Sequence, residues 1–90
     1  MLRYAGQVSG RVQGVGFRYF VQQRAQRLGI TGWVQNQPDG TVKMEIQGLP
    51  DKLAALQAAL RNGRALIRVE TLELTEQTPL AGEQGFSIRK

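Results

Sequence analysis

The sequence predicts an α+β fold in which two helices cover one face of an antiparallel β-sheet. Three observations indicate this: apolar residues recur at helical spacing in two segments, they alternate with polar residues in others, and turn-forming residues separate these segments. The 90 residues suffice for one small domain with a single modest core. We therefore expect one domain over residues 1–90.

The first strand is predicted over residues 3–9, and the loop that follows it over residues 10–16. A helix is predicted over 17–28, because a single stripe of its surface is apolar and the remaining positions hold good helix formers. Gly29 suits the left-handed position just past the end of that helix. The predicted buried stripe consists of Phe17, Phe20, Val21, Ala25 and Leu28.

A β-hairpin is predicted next, with strands over 30–36 and 41–47. Pro38-Asp39-Gly40 between them combines three residues that favour tight turns. In the second strand apolar and polar residues alternate, which predicts that Val42, Met44 and Ile46 face the core.

The second helix is predicted over 50–61, since Pro50 fits a first helical position. Its predicted stripe is Leu53, Leu56 and Leu60. A long strand is expected over 66–74, with a bulge near Glu70-Thr71, where the apolar residues change parity. Phe86 and Ile88 indicate a short final strand. This β-α-β-β-α-β order, plus the terminal strand, predicts a ferredoxin-like sandwich.

The absence of cysteine and histidine limits the chemistry. It excludes disulfides, thiol catalysis, zinc sites built from Cys and His, and nucleophiles activated by histidine. No apolar run is long enough to cross a membrane, and the first residues do not resemble a signal peptide. We expect a cytoplasmic protein with no membrane partner.

The net charge of +5 is concentrated near the N-terminus, where five arginines precede the first acidic residue, Asp39. This distribution favours an anionic partner such as a phosphate compound, a nucleic acid or an acidic lipid. A solvated basic face is the alternative explanation.

The loop over 10–16 combines several features of a phosphate site. The first N–H groups of a helix lack internal partners, and Gly14 and Gly16 allow neighbouring N–H groups to turn toward one anion. Arg18 follows in the first helical turn, where its guanidinium can bind phosphate oxygens with two hydrogen bonds. A purely structural turn is the alternative. Asn36 ends a strand, and it is either a turn-forming residue or a second site residue, because the strand register cannot be read from the sequence.

Two motifs closely resemble those of the acylphosphatase family: GRVQGVGFR at 10–18 and GWVQNQPDG at 32–40. The resemblance extends over about residues 3–89, and we expect a freestanding small member of the family. It implies hydrolysis of acyl phosphates to a carboxylate and inorganic phosphate, at a site without metal or other cofactor. It also implies that Arg18 and the loop N–H groups bind the phosphate, and that Asn36 orients the attacking water. The implied loop residues are Gln13, Gly14, Val15, Gly16, Phe17 and Arg18.

Two other functions fit parts of the sequence. A small RNA-binding module would suit a basic ferredoxin-like domain, but the third strand carries no aromatic residue on which a base could stack. A catalytically idle interaction domain would not need both Arg18 and Asn36. We expect a monomer with an acyl phosphate substrate, inorganic phosphate as product or inhibitor, and no nucleic-acid partner.

Three further residues receive structural interpretations. We expect Tyr19 and Trp33 to serve in packing, and the alternative for both is a place on the acyl side of the cleft. We expect Arg11 to be a solvated surface arginine, and the alternative is that it adds to the positive field at the loop. One segment departs from the family pattern, because residues 62–66 replace the Gly-Pro-rich loop that many members carry after the second helix.

Overall fold

The computed structural model describes residues 1–90 and contains five strands and two helices. In chain order the elements are β1 (Leu2–Arg11), α1 (Phe17–Arg27), β2 (Thr31–Asn36), β3 (Val42–Gly48), α2 (Pro50–Asn62), β4 (Arg68–Gln77) and β5 (Phe86–Arg89). The predicted order of elements is confirmed. Neither helix combines the length and the apolar character that crossing a bilayer would require.

One sheet holds all five strands in the order β4-β1-β3-β2-β5. The first four strands pair in antiparallel fashion, as expected for the ferredoxin-like arrangement, but β5 pairs with β2 in parallel. The sheet is therefore mixed, because the short terminal strand, for which the sequence predicted no direction, is added in parallel. The cause is the segment 78–85, which reaches the end of the sheet where β2 begins, so that β5 starts beside Gly32 and runs in the same direction as β2.

This topology brings three strand ends together. Because β1 and β2 are both antiparallel to β3, they run in the same direction, and β5 runs with them. The chain leaves these strands at Arg11, Asn36 and Arg89, at one end of the sheet. The loop before α1 and the β2–β3 turn consequently lie beside each other.

The core lies between the sheet and the two helices. Val42, Met44 and Ile46 are fully buried on the helix-covered face, as the alternation predicted. The stripes of both helices are buried as well, except that Leu28 is only half-buried at the end of α1. The predicted packing faces of the helices are thus confirmed.

Two predicted strands, β1 and β4, differ in their bounds by more than one residue. β1 continues through Gly10 and Arg11, which leaves a connecting loop of residues 12–16. β4 begins at Arg68 instead of residue 66, because Ile67 N–H donates to Arg64 O within a turn. The predicted bulge is present, since Ser9 pairs with Thr71 while Gly10 pairs with Val69, which leaves Glu70 as the extra residue.

Arg3 is the buried cation of this fold. It is 1% exposed, and its guanidinium donates to Glu45 Oε1 at 2.9 Å and to Glu83 Oε1 at 2.7 Å. Gln47 accepts another bond from Arg3 and pairs its side-chain amide with the backbone of Leu80. These contacts hold the segment 78–85 against the sheet. The two carboxylates also neutralise Arg3, one of the five arginines that make the N-terminal half of the sequence basic.

Candidate active site

The loop of residues 12–16 is anchored at its start and open at its centre. Val12 is buried in the core, and Val15 packs against it in a half-buried position. Gly14 and Gly16 both have positive φ, 74° and 80°. A Cβ at either position would meet no atom within 4 Å, so glycine is required here by the backbone angle and not by crowding.

The backbone N–H groups from Gln13 to Arg18 have no acceptor within the chain. The first hydrogen bond of α1 runs from Phe20 N–H to Gly16 O at 3.0 Å, so the preceding donors remain free. No acidic residue occupies the first turn of the helix. A run of unpaired donors at a positive helix end is an arrangement that attracts an anion.

Arg18 stands in the first turn of α1 and is half-buried. Its Nη1 atom donates to the carbonyl oxygen of Arg89 at 3.1 Å, at the end of β5. The guanidinium of Arg89 in turn lies over the Trp33 ring, 4.2 Å from its centroid. The final strand therefore fixes one edge of the Arg18 fork beside the loop.

Asn36 is brought to the same place by the strand register. It pairs with Val42, which also pairs with Val8 of β1, so the three residues form one row across the end of the sheet. Asn36 shares the helix-covered face with Val34, whose partner Met44 is fully buried. Its Oδ1 atom is buried and has no hydrogen-bond partner. A buried amide oxygen without a partner is costly, and a hydrogen bond from a ligand or water would remove that cost.

A pocket of about 240 Å³ joins these groups. Its lining residues are Val12, Gly14, Gly16, Phe17, Arg18, Tyr19, Asn36 and Ile88. Gln13 and Val15 belong to the loop but do not line the pocket with their side chains. A larger cavity of about 500 Å³ lies between the end of α2 and β4, but it shares no residue with the loop, Arg18 or Asn36. We place the candidate active site in the smaller pocket, because the unpaired polar groups converge there.

The pocket wall carries positive charge without an acidic partner. Arg18 is its only charged lining residue, and no cluster of three or more acidic side chains that could hold a metal ion occurs in the structure. The nearest carboxylate in sequence to Asn36 is Asp39, whose oxygen accepts bonds from the side chain and the backbone of Thr41. These bonds lower the pKa of Asp39 below its ordinary value.

Trp33 and Tyr19, which were both predicted to serve in packing, lie in different environments in the structure. Trp33 is buried beneath Arg89 and lies outside the pocket, as predicted. The packing interpretation of Tyr19 was wrong, and its alternative fits better, since this side chain is 65% exposed and lines the pocket. Its helical position shows why: it lies about 200° around the helix from Phe17, off the apolar stripe. Arg11 is exposed at the end of β1, as expected.

Sequence reasoning missed three contributions to the site, two of them from β5. Ile88 of β5 lines the pocket, and the carbonyl of Arg89 holds Arg18. Neither was predictable, because both depend on the parallel placement of β5. The side chain of Gln13 was missed as well, although its residue was singled out: it donates to Gln37 O and Thr41 O in the β2–β3 turn.

Comparison with known proteins shows the family to which this chain is similar. The family model for Acylphosphatase matches residues 4–88. A curated acylphosphatase from Clostridium beijerinckii is 42% identical over 89 residues, with 99% of each chain covered. The crystal structure of acylphosphatase from Bacillus subtilis superposes with a TM-score of 0.94 at 42% identity, covering 100% of both chains. An acylphosphatase structure from Coxiella burnetii gives a TM-score of 0.89 at 32% identity, covering 98% of this chain and 92% of the other.

These matches extend over nearly the whole chain, and they include both motifs from which the resemblance was inferred. Sequence, fold and the matched relatives lead to the same conclusion: the chain belongs to the acylphosphatase family, a family of acyl phosphate hydrolases.

Proposed function

We propose that the pocket hydrolyses an acyl phosphate by direct attack of water on phosphorus. The phosphoryl group is held by the free N–H groups of Gln13 to Arg18 and by the Arg18 guanidinium. Asn36 orients the water. The observation that carries this proposal is the convergence in one pocket of unpaired loop donors, Arg18 and the buried, unpartnered Asn36 Oδ1.

The donors match the charge of the substrate. Phosphoryl transfer depends mainly on positioning and on stabilising the charge of the phosphoryl oxygens. Arg18 can make two charge-assisted bonds to those oxygens, while the loop N–H groups supply donors that need no reorganisation. The bond from Arg18 to the Arg89 carbonyl uses only one of its guanidinium nitrogens, so other N–H groups remain for the substrate.

The leaving group explains why histidine is not needed. Water oxygen forms the new bond to phosphorus as the bond between phosphorus and the acyl oxygen breaks. The electron pair of that bond leaves with the carboxylate, whose conjugate acid has a pKa near 4, so it departs without a general acid. The proton of the water passes to a phosphoryl oxygen, since no carboxylate or histidine lines the pocket.

Asn36 has the right chemistry for orienting the water. A buried amide oxygen without a partner accepts one hydrogen of a water molecule and thereby directs the oxygen lone pair. The residue lies at the end of β2, in the same pocket as Gly16 and Arg18. None of these steps calls for a metal ion, and we propose that the reaction is metal-independent.

Hydrolysis of an aryl acyl phosphate, with a chelator present, tests the proposal. We expect Arg18→Ala to lower kcat/KM by about 1000-fold or more, as for other arginines that stabilise phosphoryl transfer. Arg24→Ala is the matched control, because it removes an arginine of the same helix that lies over Phe20, outside the pocket. Near-normal activity of the Arg18 variant would contradict its role.

Asn36 is tested separately with inorganic phosphate as a probe. Asn36→Ala should lower kcat by at least about 100-fold, because the nucleophile loses its orientation, while the inhibition constant for phosphate stays nearly unchanged. Arg18→Ala should instead weaken inhibition by phosphate. In water enriched with oxygen-18 the label should enter inorganic phosphate; label in the carboxylate would refute attack at phosphorus.

A further inference from the structure

The Gln13 side chain connects the two segments that form the pocket. Its Nε2 atom lies 2.8 Å from Gln37 O and 2.8 Å from Thr41 O, so both amide hydrogens are donated to backbone carbonyls. The residue is half-buried. These are the only side-chain hydrogen bonds between residues 12–18, which comprise the loop and the start of α1, and the turn of residues 36–41.

The turn that Gln13 binds is itself closed. Gln37 N–H donates to Thr41 O at 2.8 Å, and Gly40 N–H donates to Gln37 O at 3.2 Å. The Asp39 carboxylate accepts the Thr41 N–H at 3.0 Å and the Thr41 hydroxyl at 2.6 Å. Because these bonds hold the turn together, a contact to its two carbonyls also helps to locate Asn36, the residue immediately before it.

We propose that the Gln13 side chain is a positioning residue, which fixes the Asn36 amide relative to the phosphate-binding loop. One end of the contact lies next to Gly14 in the loop, and the other lies next to Asn36 in the turn. The inference rests on the proposed function, because it assigns Gln13 an effect that passes through the water held by Asn36.

The two parts of the pocket respond differently when this contact is lost. The loop stays anchored without Gln13, because Val12 and Phe17 on either side of it are each 1% exposed. Asn36 ends its strand, and no side-chain bond from the loop replaces that of Gln13. Since attack requires the reacting atoms at near-contact distance, a shift of about 1 Å in the water costs up to about 100-fold in rate. Loss of Gln13 should therefore reduce kcat and spare phosphate affinity.

The experiment compares Gln13→Leu and Gln13→Glu with the wild type. Glutamate is nearly isosteric but has no N–H at neutral pH, so it tests the donors themselves. We expect both variants to lower kcat by about tenfold or more. The charge-neutral Gln13→Leu should change the inhibition constant for inorganic phosphate by less than about threefold. If kcat of the folded variants remains within about twofold of the wild type, the inference is wrong.

Gln22→Leu is the matched control. Gln22 is also half-buried, and its Nε2 donates to a backbone carbonyl, that of Phe86, at 3.0 Å. Its loss should cost similar stability but leave kcat unchanged, because Phe86 pairs with Gly32, at the opposite end of β2 from Asn36. If Gln13→Leu fails to fold, the kcat of Gln13→Glu alone tests the inference. The NMR signals of the Asn36 side-chain NH₂ should shift in Gln13→Glu but not in Gln22→Leu.

A double-mutant cycle decides whether Gln13 acts through Asn36. In the Asn36→Ala background, measured at high enzyme concentration, Gln13→Leu should change kcat by less than about twofold. An equal reduction in both backgrounds would overturn the inference. The proposed function fails in a different way: Asn36→Ala alone would then keep near-normal activity. Full loss in Asn36→Ala together with normal kcat in Gln13→Leu rejects only the role of Gln13.

Discussion

Replacing Arg3 by methionine should destabilise the fold strongly, because the buried guanidinium holds two carboxylates. Arg3 is 1% exposed and lies 2.9 Å from Glu45 and 2.7 Å from Glu83. Without the cation, both carboxylates remain in partly buried positions, 27% and 18% exposed, with no positive partner. Removing one member of a buried pair costs about 3–5 kcal/mol, and we expect about 3 kcal/mol because both carboxylates keep some contact with water.

Thermal and urea unfolding followed by circular dichroism measure this effect. A loss of about 3 kcal/mol corresponds to a decrease of about 15 °C in Tm for a domain of this size. Lys43→Met is the control, because it removes an exposed cation without an ion pair from the same sheet face. That variant should change the free energy of unfolding by less than about 0.5 kcal/mol.

The pH dependence provides an independent check. The hydrogen bond from Arg3 is the main cause that lowers the pKa of Glu83 below its ordinary value of 4.5. A lowered carboxyl pKa contributes stability that is present above the unfolded pKa and is lost as the pH falls through the folded one. The difference between wild type and Arg3→Met should therefore be full near neutral pH and shrink below about pH 4. A neutral-pH difference under about 1 kcal/mol, or one that does not vary with pH, would refute this reasoning.

Three further predictions concern the pocket and the surface. Tyr19→Ala removes a pocket-lining side chain that is 65% exposed, so KM for an aromatic acyl phosphate should rise about fivefold relative to KM for acetyl phosphate; an unchanged ratio would contradict contact with the acyl group. Gly16→Ala forces a side chain onto a φ of 80° in open space, so backbone strain alone should cost about 1–2 kcal/mol in unfolding free energy, and an unchanged Tm would argue against it. Arg68 lies directly opposite Arg11 in the β1–β4 pair, so Arg68→Glu should stabilise the fold by about 0.5 kcal/mol at low salt, with no gain at high salt; absence of a gain at low salt would show that these side chains do not interact.

Much of the fold followed from patterns within short segments. The apolar stripes of α1 and α2 and the alternation in β3 need only neighbouring residues to be recognised, and the structure buries all three, apart from the half-buried Leu28. The bulge at Glu70 was also visible locally, because a change of parity requires an extra residue. The bounds of β1 and β4 could not be predicted from local sequence, since hydrogen bonds to a partner strand decide where a strand ends.

Some residues of the candidate site could likewise be recognised from local sequence, whereas others depend on contacts between distant segments. The glycines and Arg18 lie within five residues of each other, so their combination before a helix could be interpreted as an anion site from the sequence. The sequence left Asn36 as either a turn-forming residue or a site residue, because its position depends on pairing with Val42 in another strand. The contact of Gln13 with Gln37 and Thr41 also joins separate segments and had no sequence signal.

By itself, then, the sequence determined the order of the elements, the residues of the core faces, the two motifs and the family they resemble. Only the tertiary structure decided that β5 runs parallel to β2, that Arg3 is buried between Glu45 and Glu83, and that Asn36 keeps a buried oxygen free. The physical reason is the range of the interactions. Periodicity and turn chemistry act between residues a few positions apart, whereas Arg3 meets Glu83 across 80 positions of the chain.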